Sequence, residues 1–176
     1  FYEPGVFYCK DAFEGLDTVD ADNIGLEGHS MGGWAVLAAA AAMPDGYRSM
    51  VLAGSAPGSF GAPAGTLTFP RNLAVVFSAY DEFSELMWEV PTGAAVTRSP
   101  KLQAIFGTLT AVVPGKQYGR IDEGRARILF VPPVTHPGDH LSTAVIGSAV
   151  DWFAATLNGA TQQPARHQIW YWKELT

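Results

Sequence analysis

A serine stands between glycines in the stretch GHSMGG (residues 28–33), which fits the pattern Gly-x-Ser-x-Gly. The residues before it (24–27) predict a short strand, and those after it (34–43) predict a helix. At such a junction the pattern is typical of a tight turn that exposes a serine hydroxyl as a nucleophile where the helix begins. We expect a Cβ two residues before or after the serine to clash with backbone. The alternative interpretation is a glycine-rich turn capped by a serine.

The longer stretch DADNIGLEGHSMGG (residues 20–33) resembles the nucleophile elbow of the α/β-hydrolase superfamily, of the dienelactone-hydrolase, esterase and lipase type. The likeness covers most of the chain, from about residue 6 to residue 157. It implies a serine hydrolase that cleaves a carboxylic ester, thioester or amide through an acyl-enzyme on Ser30, without a cofactor. It also implies a triad in the chain order serine, acid, histidine. The backbone N–H of Met31 would then be one donor to the oxyanion.

Asp81 is the predicted acid of this triad. It lies in the loop after the apolar run at residues 73–78, at the carboxyl end of a predicted strand, where the sites of parallel sheets form. The alternative role for Asp81 is to cap a helix that begins near Phe83. Glu82 is the second candidate for the acid. No acid follows the preceding strand, where some members of the superfamily place it.

Two histidines compete for the role of the base. His136 comes after the last predicted strand and precedes the pair Trp152-Phe153 of the final predicted helix. The number of residues between them is about the number that commonly separates the catalytic histidine from such a helix position in the superfamily. His140 is closer to that pair and nearly at the start of the final helix, where capping or exposure to solvent would explain it. The prediction is therefore His136, with His140 as the alternative base.

The histidines also raise the possibility of a metal site. A His-x-x-x-His metal site at His136 and His140 needs a helix that places both imidazoles on one face. The sequence Pro-Gly at residues 137–138 is expected to prevent such a helix. No carboxylate or third histidine is expected to complete the site. We therefore predict no metal. His29 is expected to pack beside the site, because adjacent residues of a tight turn do not aim their side chains at each other. His167 is expected to be structural or exposed.

The elements that must position these residues alternate between helices and short, continuously apolar strands. This alternation predicts an α/β fold with a mostly parallel sheet of about four strands covered by helices. The apolar side chains between Asp81 and Arg127 are interpreted as core rather than as a pocket wall, and a hairpin is plausible at residues 110–127. The predicted strands are 24–27, 48–53, 73–78 and 127–131, and the predicted helices are 6–17, 34–43, 82–90, 100–106 and 142–157.

Composition excludes several classes of protein. The net charge of −6 argues against a nucleic-acid binder, because a surface that follows phosphates needs an excess of Lys and Arg. The single cysteine allows neither an internal disulfide nor a cysteine-based zinc site. The longest apolar run, residues 34–43, is shorter than the roughly 20 residues that span a bilayer. A globular domain acting on a small ester-like molecule fits these limits.

The segment before Ser30 is short for an α/β-hydrolase domain. The superfamily places four strands before the nucleophile, whereas the segment before Ser30 has room for one helix only. We therefore expect residues 1–158 to be the C-terminal half of an α/β-hydrolase domain, a partial fold whose first strand has an unpaired edge. Residues 159–176 form a tail whose Trp170, Tyr171 and Trp172 suit a membrane interface, or else pack on the domain.

The sequence leaves the cellular location open, and a cytoplasmic or membrane-associated location is favoured. The second functional hypothesis is a catalytically silent α/β-hydrolase-like binding domain attached to a membrane protein. The intact order of serine, aspartate and histidine favours the hydrolase.

Overall fold

A single parallel sheet organises the computed structural model, which describes residues 16, 18–159 and 164–170. All three strand pairings are parallel, and the order along the sheet follows the order along the chain. This confirms the predicted α/β fold with a four-stranded parallel sheet flanked by helices. The strands are β1 (Gly25–His29), β2 (Ser49–Ala53), β3 (Leu73–Val76) and β4 (Arg127–Phe130).

Four α-helices accompany these strands in the described residues: α1 (Met31–Ala42), α2 (Ser84–Trp88), α3 (Pro100–Phe106) and α4 (Thr143–Thr156). Local sequence sets their ends. The Ser99 side chain accepts a hydrogen bond from the Leu102 N–H at the start of α3, and Ser142 does the same for the Val145 N–H at the start of α4. None of the helices described here has the length and apolar character needed to cross a membrane.

The first strand and the first helix are closer together than the sequence suggests. β1 continues to His29, which pairs with Ala53, and α1 begins at Met31. Only Ser30 separates the two elements. Among the described strands β1 pairs with β2 alone. The helix predicted for residues 6–17 lies outside the described residues.

The two central strands are buried on both faces. Every residue of β2 and β3 is buried, and alternate side chains enter opposite hydrophobic clusters. On one face Leu52 and Val75 pack with α1 and with Trp88, and on the other Val51 and Val76 pack with Trp152 of α4. Continuous burial explains why these strands are apolar throughout rather than alternating.

The long connection from β3 to β4 contains no hairpin, and most of its residues are exposed or partly buried. The five apolar side chains interpreted as core belong to the hydrophobic cluster on one face of the sheet, which confirms that interpretation. The predicted hairpin at residues 110–127 is wrong, because the only antiparallel pairing there is an isolated bridge between Tyr118 and Arg127. Glycines with positive φ turn the chain too often for two strands to form. The buried side chains are Met87, Trp88, Leu102, Ile105 and Phe106.

Residues 164–170 contact the start of α4. The Gln168 side chain donates a hydrogen bond to the Thr143 carbonyl, and Trp170 donates to the Gln168 side chain. Tyr171 and Trp172, which the membrane hypothesis also uses, lie outside the described residues.

Asn72 ties the strands together at their amino ends, and the sequence gives no signal of it. Its side chain is buried, and its φ of 40° lies in the left-handed region that asparagine tolerates. Its amide donates to the carbonyls of Arg48 and Ile121 and accepts from the Ala126 N–H. Its backbone carbonyl accepts hydrogen bonds from three further groups, namely the Met50 N–H, the Ser49 hydroxyl and the Trp152 indole.

We predict that Asn72→Ala lowers the free energy of unfolding by about 2–4 kcal/mol, because one buried and two partly buried backbone groups lose their partners. The matched control is Asn23→Ala, which removes two hydrogen bonds to Asn158 at the surface and is expected to cost less than about 1 kcal/mol. Urea unfolding of the variants measures both values. Equal losses in the two variants would contradict the role given to Asn72.

Candidate functional site

Ser30 forms a strained turn between β1 and α1. Its φ of 54° and ψ of −121° are unusual for a residue with a side chain. Two backbone hydrogen bonds hold this conformation: the Ser30 N–H donates to the Ala53 carbonyl at 2.9 Å, and the Ser30 carbonyl accepts from the Gly33 N–H at 3.0 Å. The turn therefore attaches the serine to the carboxyl ends of both β1 and β2.

The turn needs glycine at residues 28 and 33, whereas the sequence predicts residues 28 and 32. A Cβ on Gly28 would lie 2.4 Å from the backbone of Gly32, which confirms the clash predicted there. A Cβ on Gly32 would meet nothing within 4 Å, so the predicted clash at that position is wrong. The second close approach is at Gly33, where a Cβ would lie 2.3 Å from the Ser55 hydroxyl. The helix turns Gly32 towards solvent and Gly33 towards the β2 loop.

Asp81 and His136 form a buried pair at the carboxyl end of the same sheet. His136 Nδ1 lies 2.8 Å from Asp81 Oδ2, and the two residues are 7% and 3% exposed. The other oxygen, Asp81 Oδ1, accepts a hydrogen bond from the Phe83 N–H at 2.8 Å. Asp81 does not cap α2, whose N-cap is Phe83 and has no side-chain cap. One Asp81 oxygen instead holds the loop before the helix, and the other pairs with the imidazole of His136. His136 Nε2 is left free for other chemistry.

Glu82 contacts the backbone of His136 rather than its ring. Glu82 Oε2 accepts a hydrogen bond from the His136 N–H at 3.0 Å. The ring of Phe83 meets the His136 ring edge to face, with centroids 4.8 Å apart. These contacts fix the position of the imidazole from a second side, so Glu82 supports His136 while Asp81 pairs with its ring.

The turn and the pair are neighbours through Ala53 and Gly54. Ser30 is bonded to the Ala53 carbonyl, and a Cβ on Gly54 would lie 2.8 Å from the His136 ring. The ring centroids of His29 and His136 lie 4.6 Å apart. Within the described residues no hydrogen bond joins the Ser30 hydroxyl to His136, a contact that in enzymes without substrate is often long and tightens on binding.

The first N–H of α1 is available beside Ser30. Met31 begins the helix, and its N–H donates to no backbone carbonyl among the residues described. The N-terminus of the helix adds a partial positive charge at this point. The N–H that the sequence analysis assigns to an oxyanion, that of Met31, is therefore not used by the backbone of the described residues.

Asp139 is a buried residue of this region that sequence analysis missed. Its Oδ1 accepts a hydrogen bond from the Ser78 hydroxyl, and its Oδ2 lies 3.3 Å from His29 Nε2 without hydrogen-bond geometry. The ring of His29 also lies 4.1 Å from that of the exposed His140. A signal was present in the sequence, since Asp139 is the one carboxylate in the histidine-containing segment between β4 and α4.

One of the two premises of the argument against a metal site is wrong. The first is not contradicted: residues Pro137–Leu141 form a 3-10 helix, because proline is tolerated at the first helical position, but this helix begins after His136 and does not bring His136 and His140 together as ligands. A third histidine and a carboxylate are, however, present: His29, His136 and Asp139 each offer a ligand atom, and these atoms lie within 4.8 Å of one another. His140 does not belong to this group, and His167 is exposed.

A comparison of the chain with protein-family models, with curated proteins and with solved structures finds no match. The function therefore has to be inferred from the residues and their geometry.

The two glycines of the motif give a matched pair of variants. Gly28→Ala is expected to lower the free energy of unfolding by about 1–3 kcal/mol, because its Cβ would overlap backbone that has to move. Gly32→Ala is expected to leave it unchanged or raise it by up to about 1 kcal/mol, since the position is open and alanine favours helix. Denaturant unfolding measures both. A Gly32→Ala variant as damaged as Gly28→Ala would contradict the described turn.

Proposed function

We propose that this chain carries the catalytic machinery of a serine hydrolase of the α/β-hydrolase type. It would cleave a carboxylic ester, thioester or amide in a small molecule through an acyl-enzyme. The observation that carries the proposal is the buried Asp81–His136 hydrogen bond, which lies at the same end of the sheet as the strained Ser30 turn. Such a pair supplies the base that a serine hydroxyl needs in order to attack a carbonyl.

In the first half of the reaction His136 acts as the general base. Its Nε2 takes the proton of the Ser30 hydroxyl while the oxygen attacks the carbonyl carbon, and the carbonyl oxygen becomes negatively charged. Asp81 keeps the other ring proton on Nδ1 and stabilises the imidazolium that forms. The Met31 N–H stabilises the oxyanion as a donor already in place. The imidazolium then returns its proton to the leaving group as the carbon–oxygen, carbon–sulfur or carbon–nitrogen bond breaks.

In the second half water replaces the leaving group. His136 takes a proton from the water, whose oxygen attacks the acyl carbon, and the proton then passes to the Ser30 oxygen as the acid product leaves. The buried Asp81 carboxylate has the same role in both halves. No cofactor takes part in this scheme.

The competing hypothesis, a silent binding domain, is less well supported by the buried pair. Asp81 and His136 give up their hydration to meet, and burial of such groups is tolerated when they are bonded to each other. A binding surface has no need of a strained serine beside them. Phosphonate labelling separates the two hypotheses, because a silent domain would not react.

Ser30→Ala in the full-length protein is expected to abolish labelling by a fluorophosphonate probe and to reduce ester hydrolysis by on the order of 10⁴-fold or more. The control is Ser148→Ala, whose surface hydroxyl bonds the Ala144 carbonyl. It should label and turn over as the unaltered protein does. Labelling that survives in Ser30→Ala would assign the nucleophile to another residue.

His136→Ala and His140→Ala test the choice of base. Of the two, only His136 is hydrogen-bonded to a buried carboxylate, so its loss is expected to abolish turnover, a reduction on the order of 10⁴-fold or more. His140→Ala should keep a readily measured share of the activity. Steady-state rates with an activated ester compare them, and the reverse order of effects would transfer the role of base to His140.

A further inference from the structure

We propose that His29, His136 and Asp139 form a binding site for a divalent transition-metal ion such as Zn²⁺, and that the bound ion inhibits the enzyme by occupying the base. The inhibitory effect rests on the proposed function, whereas the binding of the ion does not. Two imidazoles and one carboxylate are a donor set that zinc accepts.

The spacing of the donors suits one ion. The three ligand atoms lie within 4.8 Å of one another. Zinc–ligand bonds of about 2.0–2.1 Å in a tetrahedral site place two donors roughly 3.3 Å apart. His29 Nε2 and Asp139 Oδ2 already lie 3.3 Å apart, so His136 is the ligand that has to approach.

Each of two ligands has a partner that orients it. A histidine that binds a metal usually gives its other ring N–H to a carboxylate, and Asp81 accepts from His136 Nδ1 in this way. The ligating carboxylate is commonly hydrogen-bonded as well, and the Ser78 hydroxyl donates to Asp139 Oδ1. Asp139 Oδ2 remains available for an ion. In His136 the nitrogen that does not pair with Asp81 is Nε2, so its lone pair is the one that would bind the ion.

The free atoms are the unusual feature of the cluster. His29 Nε2 and Asp139 Oδ2 are buried and make no hydrogen bond, and the Asp139 side chain is only 1% exposed. Buried polar atoms without partners are rare because they lose their hydration without compensation. An ion between them would supply the missing partner for both.

A route to the cluster is also present. His29 and Asp139 line a cavity of 330 Å³ between β1 and α4, with Glu27 and His140 among its other lining residues. A metal site needs such an entry path. The carboxylate of Glu27 adds negative charge along it.

Binding of the ion would oppose catalysis directly. The ion would hold the lone pair of His136 Nε2, which the proposed reaction uses to take the Ser30 proton. Metal-free protein would be the active form, and chelation would restore activity.

The test titrates Zn²⁺ into metal-free full-length protein by calorimetry, with Co²⁺ absorption as a second readout of nitrogen and oxygen ligation. We expect one ion per chain, and we expect Asp139→Ala and His29→Gln each to weaken binding by roughly 100-fold or more, since each removes a ligand. The exposed His167→Ala and the nucleophile variant Ser30→Ala should bind as the unaltered protein does. If Asp139→Ala does not fold, Asp139→Asn replaces it.

The outcomes separate the two proposals. Unchanged Zn²⁺ affinity in the Asp139 and His29 variants, or no binding at all, would overturn the metal site and leave the hydrolase intact. Binding at these residues without any ester hydrolysis by the metal-free protein would remove the proposed function and keep the site. Binding that leaves hydrolysis unaffected would overturn the inhibition.

Discussion

The hydrogen bond from the Ser30 N–H to the Ala53 carbonyl holds the strained turn against the neighbouring strand, and the rest of the site is arranged around it. A residue with a positive φ keeps that conformation only when its surroundings fix it. Here the fixing groups are β2, which continues the pairing of β1 up to the turn, and Gly28, which lets the helix backbone approach. The serine side chain is thereby placed at the start of α1 rather than within the sheet.

Parallel pairing explains why residues far apart in the chain meet at this turn. All four strands end at the same edge, so the loops after β1, β2, β3 and β4 converge there. Ser30 follows the first strand, Gly54 the second, Asp81 the third and His136 the fourth. The absence of a side chain on Gly54 makes room for the imidazole, which Asp81 then holds. Loss of parallel register would separate the pair from the serine.

The sheet is predictable from the sequence because continuous apolar runs mark buried strands. The polar residues at the strand ends are predictable as well, because they come directly after those runs in the chain. The sequence could not identify contacts that depend on helix phase or on side-chain direction. Gly33 rather than Gly32 faces the β2 loop because the helix begins at Met31, and that starting point was placed too late. Asp139 comes beside His29 within the 3-10 helix at Pro137–Leu141, a short helix that the proline was expected to prevent.

The central claim is that Ser30, His136 and Asp81 act as one unit on an acyl group. A crystal structure of the full-length protein after reaction with a phosphonate ester tests it most directly, because the adduct mimics the tetrahedral intermediate. The account predicts a covalent bond from phosphorus to the Ser30 oxygen, a phosphoryl oxygen accepting from the Met31 N–H, and His136 Nε2 beside the site of the leaving group. An adduct on another residue, or one on Ser30 with its phosphoryl oxygen turned away from α1 and from His136, would contradict it.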